Sequence, residues 1–128
     1  MCEICIREPG SHSFEFIRQE NNINYYYTCP AKASKYWDTK GILNHYREIL
    51  NINNDAPWIW IFDGAGFGLK HSLKIDTALG LIQLLKEHYG NSLIEIHIIN
   101  PSIYIKSFYT LIYGFLNNDI VDKIKWYK

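Results

Sequence analysis

Apolar and polar positions follow two rhythms along this chain, and the rhythm changes every ten to twenty residues. Residues 23–28, INYYYT, and 57–62, PWIWIF, are short β-prone runs closed by Cys29-Pro30 and by Asp63 with its glycines. Residues 93–99, LIEIHII, form a third run, closed by Asn100-Pro101. The last two runs are apolar at nearly every position, as in strands buried on both faces. Between the first two, Tyr36, Trp37, Ile42, Leu43, Tyr46, Ile49 and Leu50 recur at helical spacing, which predicts a helix over 33–50 with a weak point at Gly41. A second helix is expected from a cap at Ser72 to Tyr89, stopping at Gly90. Residues 2–6 and 13–18, around the Pro9-Gly10 turn signal, read as short opening strands, and 123–127 as a closing one. Strands alternating with helices at this spacing predict an α/β fold: a layered, mostly parallel β-sheet with crossover helices, in a single domain over 1–128.

Residues 102–116, SIYIKSFYTLIYGFL, break the pattern of a surface helix. Lys106 is the sole charge, and apolar or aromatic side chains cover nearly the whole circumference. A helix of this length spans roughly 22 Å, short of the roughly 30 Å hydrocarbon core of a bilayer. Its outer side therefore needs another cover: a protein layer, a partner chain such as a second copy, or a bound lipid with a membrane met transiently.

Composition narrows the classes of function. Thirteen basic and thirteen acidic residues cancel, so the chain carries no electrostatic footprint for nucleic acid and no basic run for an anionic membrane. The N-terminus lacks a signal-peptide pattern and no run is long enough to span a membrane, which leads to the expectation of a cytoplasmic, soluble protein. Three cysteines cannot pair completely, so reduced thiols are expected. Cys2 and Cys5 have the spacing of half a zinc knuckle, but no second pair follows and His12 stands alone nearby, so no metal is expected.

The loop IFDGAGFGLKHS follows a strand and precedes a helix, yet it fails both phosphate-binding spacings: Leu69 falls where a small residue is required, and Leu69-Lys70-His71 replaces Gly-Lys-Ser/Thr. Its glycines are read as a sharp turn, with Asp63 bonding loop amides. The five histidines, His12, His45, His71, His88 and His97, show no ligand spacing, and no serine or cysteine has a nucleophile context. A pairing of Asp63 with His71 or His88 is not favoured, and a non-enzymatic protein without a cofactor is expected.

From about Tyr25 onward, the order WIWIFDGAGFG, EHYGNS, IEIHIINPSIYI and FLNNDIVDKIKW resembles the CRAL-TRIO family of lipid-binding domains, in a short form without the usual N-terminal helical extension. The resemblance implies a sheet floor, an apolar pocket for one phospholipid, and a gate helix, here 102–116, that moves at a membrane. It places Trp58, Trp60, Phe62, Ile96 and Ile98 on the pocket floor, Tyr109, Ile112 and Phe115 on the gate, and Lys123 at the phosphate of a phosphatidylinositol or phosphoinositide headgroup. Two departures bear on this. Tyr89-Gly90-Asn91 replaces an acidic headgroup turn, and Trp58 and Trp60 replace the hydroxyl side chains of members that hold choline lipid. The resemblance also leaves an alternative, a protein-interaction module whose tryptophans fill the pocket, with a small GTPase or a second copy as partner.

Overall fold

The structure, a computed structural model, describes residues 2–52, 56–89 and 91–127. Five strands form one sheet: β1 (Glu15–Glu20), β2 (Ile23–Thr28), β3 (Trp58–Asp63), β4 (Leu93–Ile99) and β5 (Ile124–Trp126), paired in sequence order. Asn21 and Asn22, both at positive φ, turn β1 back on β2 as an antiparallel hairpin; every later pairing is parallel. The expected α/β sheet is therefore present, with β3 and β4 at its heart. The outer edge is β1, exposed at every position and carrying Glu15, Arg18 and Glu20. Charge on an edge strand discourages pairing with another chain.

The helices are α1 (Glu3–Arg7), α2 (Thr39–Asn51), α3 (Leu69–Ser72), α4 (Ile75–Leu84), α5 (Ile103–Ile112) and α6 (Asn118–Lys123). Four boundaries differ from the sequence-based expectation, each for a local reason. The first segment is helical rather than extended: Glu3 lies in its first turn and Arg7 in its last, where the helix dipole favours them, and the two pair at 3.8 Å. The helix expected from residue 33 starts at Thr39, because the Asp38 carboxylate accepts the Gly41 amide at 3.2 Å. The helix expected over 72–89 is divided. Ser72 caps nothing; its hydroxyl donates to the Leu69 carbonyl at 2.7 Å and closes α3, while α4 starts after Lys74 and ends in a π turn, Leu85–Tyr89. The apolar run after Pro101 is helical only to Ile112, followed by a 3-10 turn, Tyr113–Phe115. Gly90, the expected stop, lies outside the described residues.

Strand alternation explains the core. Tyr26 of β2, Trp58 and Trp60 of β3 and Ile96 and Ile98 of β4 join Ile42, Tyr46 and Leu50 of α2, Ile82 and Leu84 of α4 and Ile105 of α5 in one buried cluster. Aromatic rings dominate its α2 side. Phe14 stacks on Tyr46 at 3.8 Å between centroids and meets Trp58 edge-on at 6.3 Å, and Tyr46 meets Trp60 edge-on at 5.7 Å.

Candidate functional site

Between α5 and the sheet lies a cavity of about 120 Å³. Its floor is Trp60, Phe62, Ile96 and Ile98; Phe108, Tyr109 and Ile112 of α5 cover it, and Ile120, Ile124 and Trp126 close the β5 side. The wall is almost wholly apolar. Trp60 meets Tyr46 of α2 edge-on at 5.7 Å, and its indole Nε1 is buried. A second cavity of about 90 Å³, nearer α2 and α3, is lined by Tyr36, Tyr46, Phe67 and His71. Phe62, Ala78, Leu81 and Phe108 belong to both walls, so these side chains form a partition.

Of the residues singled out from sequence, Trp60, Phe62, Ile96, Ile98, Tyr109 and Ile112 meet around the first cavity. Three lie elsewhere. Trp58 is buried among Phe14, Tyr26 and Trp60, away from the cavity wall. Phe115, 54% exposed, stands on the 3-10 turn beyond α5. Lys123 ends α6 and pairs with Asp119 at 3.2 Å. Leu81, Leu85, Phe108 and Trp126 also line the first cavity. Phe108 was legible within the apolar run, whereas Leu81 on α4 and Leu85 at the start of the π turn sit at ordinary core spacing.

The start of α5 is fixed to the end of β3. Asp63 accepts the Tyr27 hydroxyl at 2.5 Å, the Ala65 amide at 2.9 Å and the Asn100 side-chain amide at 3.0 Å. Burial alone would raise the Asp63 pKa, but these donors outweigh it and hold the carboxyl below its ordinary value. Burial and the adjacent carboxylate raise the Tyr27 phenol. Asp63 thus bonds a loop amide, as expected, and its remaining partners are structural. The Ser102 hydroxyl caps α5 by accepting the Ile105 amide at 3.3 Å, and it donates to the Phe67 carbonyl at 3.2 Å. At its other end, the Lys86 ammonium donates to the Phe115 carbonyl at 2.8 Å. His71 accepts the Gly68 amide through Nδ1 at 3.0 Å, and burial, with Lys70 nearby, lowers its pKa.

The outer side of α5 and its extension mixes the polar Lys106, Ser107 and Thr110 with large apolar side chains. Ile103, Leu111 and Phe115 are each more than half exposed, beside Tyr104 and Tyr113. Among the described residues no helix is long and apolar enough to cross a membrane.

Elsewhere, the fold gathers residues that are scattered in sequence. One ligand-type atom from each of Cys2, Cys5, His12 and His45 lies within 4.8 Å of the others. His12 is therefore not isolated, contrary to the reading from spacing: His45 reaches it from α2, across 33 residues that no short motif spans.

The fold and cavity define a class: a mostly parallel α/β sheet whose apolar cavity is roofed by a helix that also exposes Ile103, Tyr104 and Leu111 outward. The model of the CRAL/TRIO domain family matches residues 4–128, and the chain belongs to that family. Members of the family are generally non-enzymatic lipid-binding carriers. Among solved structures, the chain is similar to the crystal structure of Sfh5, a yeast Sec14-like protein, with a TM-score of 0.72 at 11% identity. The match covers 98% of this chain and 51% of Sfh5, so this chain corresponds to about half of that structure. No curated protein matches the sequence significantly.

Proposed function

We propose that the domain carries one phospholipid, its acyl portion beneath α5, and exchanges it when α5 lifts at a membrane surface. The observation that carries this reading is the cavity wall: continuous apolar surface contributed by the sheet, by α4 and by α5. Such a wall suits a mostly hydrocarbon guest.

Size makes exchange a conformational event. Ligand pockets commonly enclose about 300–1,000 Å³, well above either cavity, so a phospholipid enters only as α5 moves outward. Hydrogen bonds anchor α5 at its start, while its far end is held by the exposed Lys86 contact. Outward motion hinged near Asn100 would press Leu111 and Phe115 into the acyl boundary of a bilayer, removing from water the apolar area now exposed. For the headgroup, an inositol phospholipid is favoured by the family resemblance at Lys123. Ile120 and Ile124, on either side of it in sequence, line the cavity, and the ammonium would exchange Asp119 for a lipid phosphate.

Solvent extraction and mass spectrometry of the purified protein, beside a control prepared identically, should recover one phospholipid class near one per chain. Phe115→Asp should slow vesicle-to-vesicle transfer at least about tenfold while leaving solubility and fold unchanged, since burying a carboxylate in the interface is costly. Unchanged transfer would remove α5 from the gate role. The smallness of both cavities supports a second reading, a filled domain that binds a protein partner. Absence of lipid after incubation with mixed liposomes would favour it.

A further inference from the structure

The cluster at the N-terminal end has the design of a structural metal site. Cys2 Sγ lies 3.5 Å from His12 Nδ1; Cys5 Sγ lies 3.6 Å from the same nitrogen and 3.5 Å from His45 Nδ1. Zinc bonded to thiolate at about 2.3 Å and to imidazole at about 2.0–2.1 Å, in tetrahedral geometry, sets its sulfur and nitrogen ligands about 3.5–3.6 Å apart. These three sulfur–nitrogen separations match edges of that polyhedron, and all four ligand atoms lie within 4.8 Å of one another.

The outer groups fix the histidines as ligands. His12 Nε2 donates to the Asp38 carboxylate at 3.0 Å, and His45 Nε2 donates to the Phe14 carbonyl at 2.7 Å. A carbonyl oxygen can only accept, so Nε2 of His45 carries the proton and Nδ1 presents its lone pair to the sulfurs; the carboxylate imposes the same tautomer on His12. Carboxylate and carbonyl partners on the remote nitrogen are the usual supports of metal-bound histidine. Gly41 belongs to the same construction. A Cβ there would stand 2.0 Å from Asp38 Oδ2 and 2.9 Å from His12 Cε1, so glycine within α2 makes room for the pair.

Helix α1 supplies the remaining argument. It has five residues and none is buried, far below the length at which an isolated helix persists. Cys2, at its N-cap, meets His12, and Cys5, three residues on, meets both His12 and His45 of α2; both thiols and both imidazoles line one open cleft. We propose that Cys2, Cys5, His12 and His45 bind one zinc ion, which fastens α1 to the start of the sheet and to α2. Two thiolates and two imidazoles in tetrahedral array select zinc over hard, oxygen-seeking cations.

The test uses the untagged full chain, produced with added zinc and purified under reductant. Elemental analysis should find near one zinc per chain, and cobalt(II) added to chelator-stripped protein should give the visible spectrum of a tetrahedral thiolate site. Cys5→Ser should lower zinc content at least about tenfold with circular dichroism retained; if it does not fold, Cys2→Ser, at the helix cap, serves instead. Asp38→Asn, which keeps a capping side chain, should weaken zinc affinity about 10- to 100-fold. Background zinc in the parent protein, an octahedral cobalt spectrum, zinc retained after loss of a thiol, or a Cys2–Cys5 disulfide persisting in reductant would each overturn the proposal.

Discussion

His71 shows how a single side chain can be polar, buried and chemically quiet. Its Nδ1 accepts the Gly68 amide, its ring lies 4.8 Å from Tyr36, and burial lowers its pKa from an unfolded value near 6.5. The sign of the pH effect follows. Between the lowered folded pKa and 6.5 the unfolded chain binds more protons than the folded one, so stability is fully present above 6.5 and falls as acid is added through that window. Denaturant melts of His71→Gln should therefore lose less stability between about pH 7 and pH 5 than those of the parent, glutamine supplying an acceptor for the amide without titrating. Parallel losses in both proteins would assign the acid sensitivity to another group. Asp63 acts in the same direction at lower pH, since its depressed pKa makes its contribution disappear only as the carboxyl is protonated.

At the scale of elements, the joint between β3 and α5 is the most constrained. A Cβ on Gly64 would lie 2.6 Å from the Asn100 carbonyl oxygen and 2.7 Å from Ile105 Cδ1, so Gly64→Ala must push the first turn of α5 off the sheet. Overpacking of this kind costs about 1–3 kcal/mol, which should appear as a lowered melting temperature together with altered lipid exchange. A loss of stability with exchange untouched would place the hinge elsewhere. The strands were the elements most legible in sequence, because β2, β3 and β4 are bounded by Pro30, by Asp63 with its glycines and by Pro101, residues that act locally. Helix ends were less so. The break between α3 and α4 rests on a Ser72 hydroxyl that turns inward to Leu69, and α1 carries no apolar stripe that would distinguish it from a strand. Site residues divide the same way: β3 alternation sends Trp60 and Phe62 to one face, but it sends Trp58 there too, and only the aromatic packing against Phe14 shows that this ring belongs to the core. His45 could not be joined to Cys5 from spacing at all, since the joining is tertiary.

For the whole molecule, the two small cavities on either side of Phe62 and Phe108 matter more than either alone. A short hydrocarbon guest fits within one chamber and should gain about 0.8 kcal/mol for each methylene it buries. When its end reaches the aromatic pair, further methylenes add no burial until Phe108 and the helix bearing it are displaced; beyond that, both chambers are available and the gain resumes. Calorimetric titration with fatty acids of increasing length should thus give an affinity that climbs, levels and climbs again, whereas one unbroken slope would mean that the rings yield freely. The domain would then act as a ruler, selecting its cargo by the length at which a guest can push Phe62 and Phe108 aside.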